Sequence, residues 1–251
     1  THSLLYYAHI LHSARKRGLK IMIYANGIGP LHGEENRKRT ETALRLADSV
    51  SLRELVSFEF ARSLGLQAPV RLTFDPAILA EKEDFPIPCA NYFVVTPKKI
   101  SCACTDALVD TIRSLRKKTG LIPVLVSLYD KQDAAYVKRL ASQTNARICF
   151  PKTAGECITL FSSARLVISS RLHALIYATA ASCPMMAYSD DEKLFAYLDH
   201  IGFGARSALD CRAFPNGNAA FLALKILGQS EYYKSTLSQK LPEWRALAQG
   251  E

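Results

Sequence analysis

The stretch "RLVISSRLHALIYATAASCPMMAYSDDEKLF", Arg165 to Phe195, decides the fold. "RLVIS" is a short apolar run of strand length. The segment after Ser170 has helical length and apolar spacing, and Ser182 and Pro184 end it. "PMMAY" is a second buried strand, and Asp191 opens another helix. A buried strand, a helical crossover and a second buried strand make a parallel pair, which needs helices on both faces.

The same alternation extends in both directions. Upstream lie "YFVVTP", a helix over Thr105–Lys118, "IPVLVSL", a helix over Asp133–Gln143, "ARICF" and a helix over Ala154–Ser163. Downstream come a helix over Asp191–His200 and two closing helices, near Asn218–Leu227 and Glu231–Leu247. The N-terminal part repeats the rhythm on a smaller scale. It has a helix over Ser3–Arg17, strand "KIMIYA", turn "NGIGP", a helix over Glu34–Leu46, strand "DSVSLR", a helix over Glu54–Leu64 and strand "VRLTFD". The two prolines of "DFPIPC" break the pattern, which places a boundary between residues 84 and 85. The expectation is an α/β protein of two parallel-sheet domains, 1–84 and 85–251. The first domain has only three strands, fewer than a doubly wound half usually has, so its beginning is expected to lie before Thr1.

Composition narrows the partners. Hydrophobic residues make up 49% and charged residues 22% of 251 residues, which is an ordinary globular balance. No apolar run is long enough to span a bilayer, and the N-terminus lacks a small-residue cleavage site. The seven cysteines are odd in number and include no CxxC pair, so free thiols in a reducing cytoplasm are expected and no metal. The net charge of +9 suits anionic partners: phosphorylated small molecules, an acidic polymer or an anionic membrane face. The basic residues are dispersed rather than gathered on one helix, which argues against nucleic acid.

Ligands of open parallel sheets bind at the C-terminal strand ends, where helix N-termini point. Ser170 follows "RLVIS" as an expected N-cap, and Arg171 and His173 occupy the first helical turn. Free backbone N–H groups and the guanidinium fork suit a phosphate or carboxylate. The alternative is a buried, hydrogen-bonded histidine with Arg171 in an ion pair. Four more strand-end positions carry two readings each. Gly27 and Gly29 let the backbone approach a ligand or merely turn tightly. Arg53 faces a crevice or forms an ion pair. Asp75, before a proline, is a polar cleft group or a turn-former. Lys193 contacts a ligand or is solvated.

In order and spacing, "YANGIGPL", "ADSVSLRELVS", "LTFDPAIL", "VISSRLHALIYA" and "DDEKLFAYLDHIG" resemble the polysaccharide pyruvyl transferase family over essentially the whole chain. Arg-Leu-His at a strand–helix joint is the most specific piece. Asn26 and Glu54 depart from the family's usual glutamine and aspartate but keep the chemical type. The family's glycine-rich N-terminal strand and turn would precede Thr1. The resemblance implies two Rossmann-like domains like those of GT-B glycosyltransferases. It also implies transfer of a pyruvyl group from phosphoenolpyruvate to two hydroxyls of a cell-surface saccharide, giving a cyclic ketal, with no cofactor. The acceptor is lipid-linked or free, and the protein is cytoplasmic or at the inner membrane face.

In this scheme His173 is the general acid/base, while Arg171, Arg53, Ser170, Gly27, Gly29, Asp75 and Lys193 bind substrate. A helix N-terminus favours neutral imidazole and a bound dianion favours imidazolium. The proton is therefore expected on His173 mainly when donor is bound. Rival readings are a nucleotide-sugar glycosyltransferase of the same architecture and an inactive, truncated binding domain.

Overall fold

Short, mostly apolar runs form the strands here, and helices alternate with most of them. A computed structural model describes residues 2–29, 31–128, 130–213 and 218–250, with the backbone alone for 2, 3, 102, 130–132 and 218. The chain divides into two compact units. The first is Thr1–Pro76 with Trp244–Glu251, and the second is Ala77–Glu243.

In the first unit, β1 (Met22–Asn26), β2 (Ser49–Leu52) and β3 (Val70–Leu72) form a parallel sheet in that order. Helices α1 (His2–Lys16), α2 (Glu34–Leu44) and α3 (Leu55–Ser63) accompany it. Alternation along β1 buries Ile23 and Ala25 and exposes Met22 and Tyr24. Ile23, Val50 and Leu52 share a core with Leu44 and Ala61, against which Leu11 and Phe58 pack. The Ile21 amide donates to the Asp48 carboxylate at 2.8 Å, and this bond holds that carboxyl below its ordinary range.

The second unit carries a parallel sheet of six strands. In chain order they are β4 (Tyr92–Thr96), β5 (Ile122–Val126), β6 (Arg147–Cys149), β7 (Val167–Ser169), β8 (Met185–Ser189) and β9 (Ala208–Asp210). The spatial order is β6-β5-β4-β7-β8-β9. The chain thus winds outward from β4 in one direction, returns, and winds outward in the other. The reversal falls between β4 and β7, and in such sheets ligands settle outside the strand ends at the reversal. The helices are α4 (Cys102–Thr119), α5 (Asp130–Thr144), α6 (Ala154–Ser162), α7 (Leu172–Ala180), α8 (Glu192–His200), α9 (Asn218–Gly228) and α10 (Ser230–Gln249). Every residue of β4, β7 and β8 is buried, as a sheet covered on both faces requires.

The division after Pro76 lies upstream of the boundary expected between 84 and 85. Hydrogen bonds account for the difference. Thr153 donates to the Glu83 carboxylate at 2.8 Å, and Thr159 donates to the Glu83 carbonyl at 2.6 Å, so this segment is fastened to α6. A Cβ on Gly155 would land 2.5 Å from the Glu83 side chain, so only glycine admits so close a crossing.

Of the two closing helices, α9 clusters with the second unit, while α10 changes unit just beyond Pro242. Its last carbonyls lack partners within the helix, and hydroxyls of the first unit supply them. Tyr24 donates to the Ala248 carbonyl at 2.8 Å and Thr73 to that of Leu247 at 2.6 Å.

Three elements were not anticipated: β9, a three-residue edge strand, and 3-10 turns at Pro76–Leu79 and Gly204–Arg206. Helix α4 begins earlier than the expected Thr105, at Cys102, because the Ser101 side chain accepts from the Cys104 amide as its N-cap. The Cys104 thiol is buried and directed at the Cys211 carbonyl, 3.1 Å away. Burial, followed by this neighbour, pushes the Cys211 thiol up to about 12. No described helix is long and apolar enough to cross a membrane.

Candidate functional site

The site is built on the exits of β4, β7 and β8, which are neighbours in the sheet. The backbone of β7 does not turn at once into the helix. The Ser170 amide still donates to the Thr96 carbonyl at 3.0 Å, continuing the ladder with β4. The Ser170 hydroxyl donates to the Tyr188 carbonyl on β8 at 2.6 Å. Ser170 is therefore a buried rivet between two strand ends and not the N-cap expected from the sequence. The cap is Arg171, with extended φ −125° and ψ 126° and no side-chain capping bond. Ser169 steadies this joint. Its hydroxyl accepts from the Arg171 amide at 2.8 Å and from the Thr96 hydroxyl at 2.6 Å.

Arg171 extends towards α5. Its Nη2 lies 2.5 and 2.6 Å from the two carboxylate oxygens of Asp133, which is only 2% exposed. The arginine side chain as a whole is 23% exposed. The ion pair fixes the arginine, so its reach towards a ligand is set by the fold rather than by rotamer freedom. Asp133 stands in the first turn of α5, thirty-eight residues away in the chain. Nothing in local spacing announces it. His173 sits in the first turn of α7 and is half-buried, its ring 6.2 Å from that of Tyr177. The helix turns of α7 supply N–H groups that have no partner inside the helix.

Further charged groups approach the same edge. Lys98, just beyond β4, lies 3.2 Å from Asp190 and 3.7 Å from Asp191, which follow β8. Asp191 is the N-cap of α8, and its carboxylate accepts from the Lys193 amide at 3.1 Å. Lys193 thus stands one strand over from His173, at the next helix start.

The first unit gathers its own group. Arg53 follows β2, and its Nη1 lies 2.5 Å from buried Asp75, which follows β3. The Arg53 amide donates to the Asn26 carbonyl at 3.2 Å. Its Nε is buried with no hydrogen-bond partner among the described residues. The glycine turn is clamped by α3: the Ile28 amide donates to the Ser57 hydroxyl at 2.8 Å. A Cβ at Gly27 would lie 2.8 Å from the Glu54 carboxylate carbon. Gly29 has φ +120°, which L side chains rarely adopt. Pro30 lies outside the described residues. Gly29→Ala is therefore expected to cost about 1–3 kcal/mol in chemical denaturation. An unchanged midpoint would show that the turn can relax. Each unit thus repeats one device, a strand-end arginine held by a buried aspartate: Arg53 on Asp75, Arg171 on Asp133.

The second unit is a doubly wound parallel α/β sheet with cations and an imidazole at its reversal point. Solved structures show this fold. One is described as a UDP-N-acetylglucosamine 2-epimerase from Listeria monocytogenes; it aligns with TM-score 0.69 at 15% identity, over 95% of this chain and 68% of that one. The UDP-GlcNAc 2-epimerase of Neisseria meningitidis aligns with TM-score 0.63 at 15% identity, over 95% and 70%. An O-GlcNAc transferase mutant of Thermobaculum terrenum aligns with TM-score 0.55 at 11% identity, over 97% and 52%. At such identities the likeness is one of fold. No curated protein matches the chain. The model of the polysaccharide pyruvyl transferase family matches residues 1–192, and the chain belongs to that family.

Proposed function

We propose that the protein transfers a pyruvyl group from phosphoenolpyruvate to two hydroxyls of a saccharide acceptor. One observation carries the reading. In a chain of this family, a half-buried imidazole stands in the first turn of α7, beside the reversal point of the sheet.

The reaction asks for one proton donor and a cradle for anions. His173 gives a proton to the methylene carbon of phosphoenolpyruvate, which makes the adjacent carbon electrophilic. A sugar hydroxyl adds there and returns its proton to the imidazole. The second hydroxyl then displaces phosphate and closes the ketal, and its proton leaves on the phosphate. The sum is phosphoenolpyruvate plus a diol giving a ketal and inorganic phosphate. Backbone N–H groups of α7 and the Arg171 guanidinium, held by Asp133, face the charge that shifts to the phosphate. Ser170 keeps the joint rigid through its bond to β8, and Lys193 begins the neighbouring helix. In the first unit, Arg53, Asp75, Gly27 and Gly29 form the second set of substrate-binding residues in this reading.

Thermal unfolding with added ligand tests the proposal. Phosphoenolpyruvate at one hundred times its dissociation constant should add about 2.7 kcal/mol of stability. UDP-GlcNAc at equal concentration should add none. The reverse pattern would favour a nucleotide-sugar enzyme.

A further inference from the structure

The ion pair of Lys98 has a position that sheet order makes informative. Lys98 follows β4, Asp190 and Asp191 follow β8, and β7 lies between them. Neighbouring strands are about 4.8 Å apart, so a side chain that joins the exits of β4 and β8 must cross the exit of β7. That exit is Ser170 and Arg171, leading into His173. The ammonium is held by the two carboxylates, at 3.2 and 3.7 Å, on the edge of the sheet from which α7 starts. Its side chain is 24% exposed, and those of Asp190 and Asp191 are 42% and 39% exposed. Such a pair contributes under about 1 kcal/mol and opens easily. At the next exit, that of β5, the buried Ser127 hydroxyl has no hydrogen-bond partner among the described residues. This edge of the sheet thus combines a weakly latched cation with an unsatisfied polar group.

We propose that Lys98 is a ligand-binding residue of this site: a dianionic ligand at the tip of α7 takes its ammonium from Asp190 and Asp191. The inference rests on the pyruvyl-transfer reading and names a contact that the sequence motifs do not contain. Lysine suits the task because a compact ammonium on a flexible stem can change partners, whereas Arg171 is fixed on Asp133. Asp190 and Asp191 then act as a latch that keeps the lysine in place while the site is empty.

Calorimetric titration of phosphoenolpyruvate into the whole chain tests it, with wild type, Lys98→Ala, Asp190→Asn and the double variant. Lys98→Ala is expected to weaken binding about ten- to a hundredfold, as loss of one charged hydrogen bond does. Its melting temperature without ligand should stay close to that of wild type. Asp190→Asn is expected to tighten binding by freeing the ammonium. In the Lys98→Ala background that gain should shrink, which separates the lost contact from added repulsion. Wild-type binding with equal binding by Lys98→Ala overturns the role of Lys98 and leaves the pyruvyl reading standing. A wild type that ignores phosphoenolpyruvate overturns both.

Discussion

Replacing His173 with alanine is expected to lower phosphate release from phosphoenolpyruvate, in the presence of acceptor, by about 10²–10⁴-fold. The fold should survive. His173 is half-buried and its ring makes a tilted contact with Tyr177. The joint around it is held by groups that the substitution leaves alone, among them Ser169, Ser170 and Thr96. A stability loss of about 1 kcal/mol is therefore expected, the central value for single substitutions. Near-normal turnover would remove His173 from the chemistry. A large loss of turnover that ran in step with unfolding would mean that the side chain serves the fold.

The second large effect concerns stability. Asp133→Ala takes away the carboxylate that Arg171 contacts at 2.5 and 2.6 Å. Breaking one partner of a buried pair commonly costs 3–5 kcal/mol, because the remaining charge is left in a poor solvent. The Arg171 side chain is 23% exposed, so water recovers part of that cost, and about 3 kcal/mol is the expected value. For a chain of this size that corresponds to a fall in melting temperature of roughly 6–12 °C. The paired replacement Asp133→Leu with Arg171→Met should regain much of the loss, since a well-packed apolar pair often equals a buried ionic one. It should regain no activity. An Asp133→Ala protein that melts like wild type would show that the pair carries little, and that Arg171 is positioned by other contacts.

These two residues mark which positions strand and helix periods can place and which they cannot. His173 was legible because strand and helix periods place it: "RLVIS" reads as a strand and the following segment as a helix, so the joint falls at Ser170–His173. Asp133 was not legible, because its partner lies in another helix and no period connects them. Lys98 is hidden for the same reason, its carboxylates belonging to a distant strand exit. The misplaced cap at Ser170 has a local cause. A serine before a helix normally caps it, but here both its amide and its hydroxyl are claimed by neighbouring strands. Strand β9 escaped notice because three residues at a sheet edge carry almost no pattern. Gly27 and Gly29 read as a turn, and Arg53 and Asp75 as strand-end residues; that the last two bond each other is visible only in the structure.

The account places an anionic metabolite at the N-terminal turn of α7. Backbone NMR of the protein titrated with phosphoenolpyruvate measures that directly. Saturable shifts centred on the amides of Arg171, Leu172, His173 and Ala174 are expected, with a weaker response at Lys98. Shifts that leave these amides unmoved, or that gather on other strand ends, would contradict it.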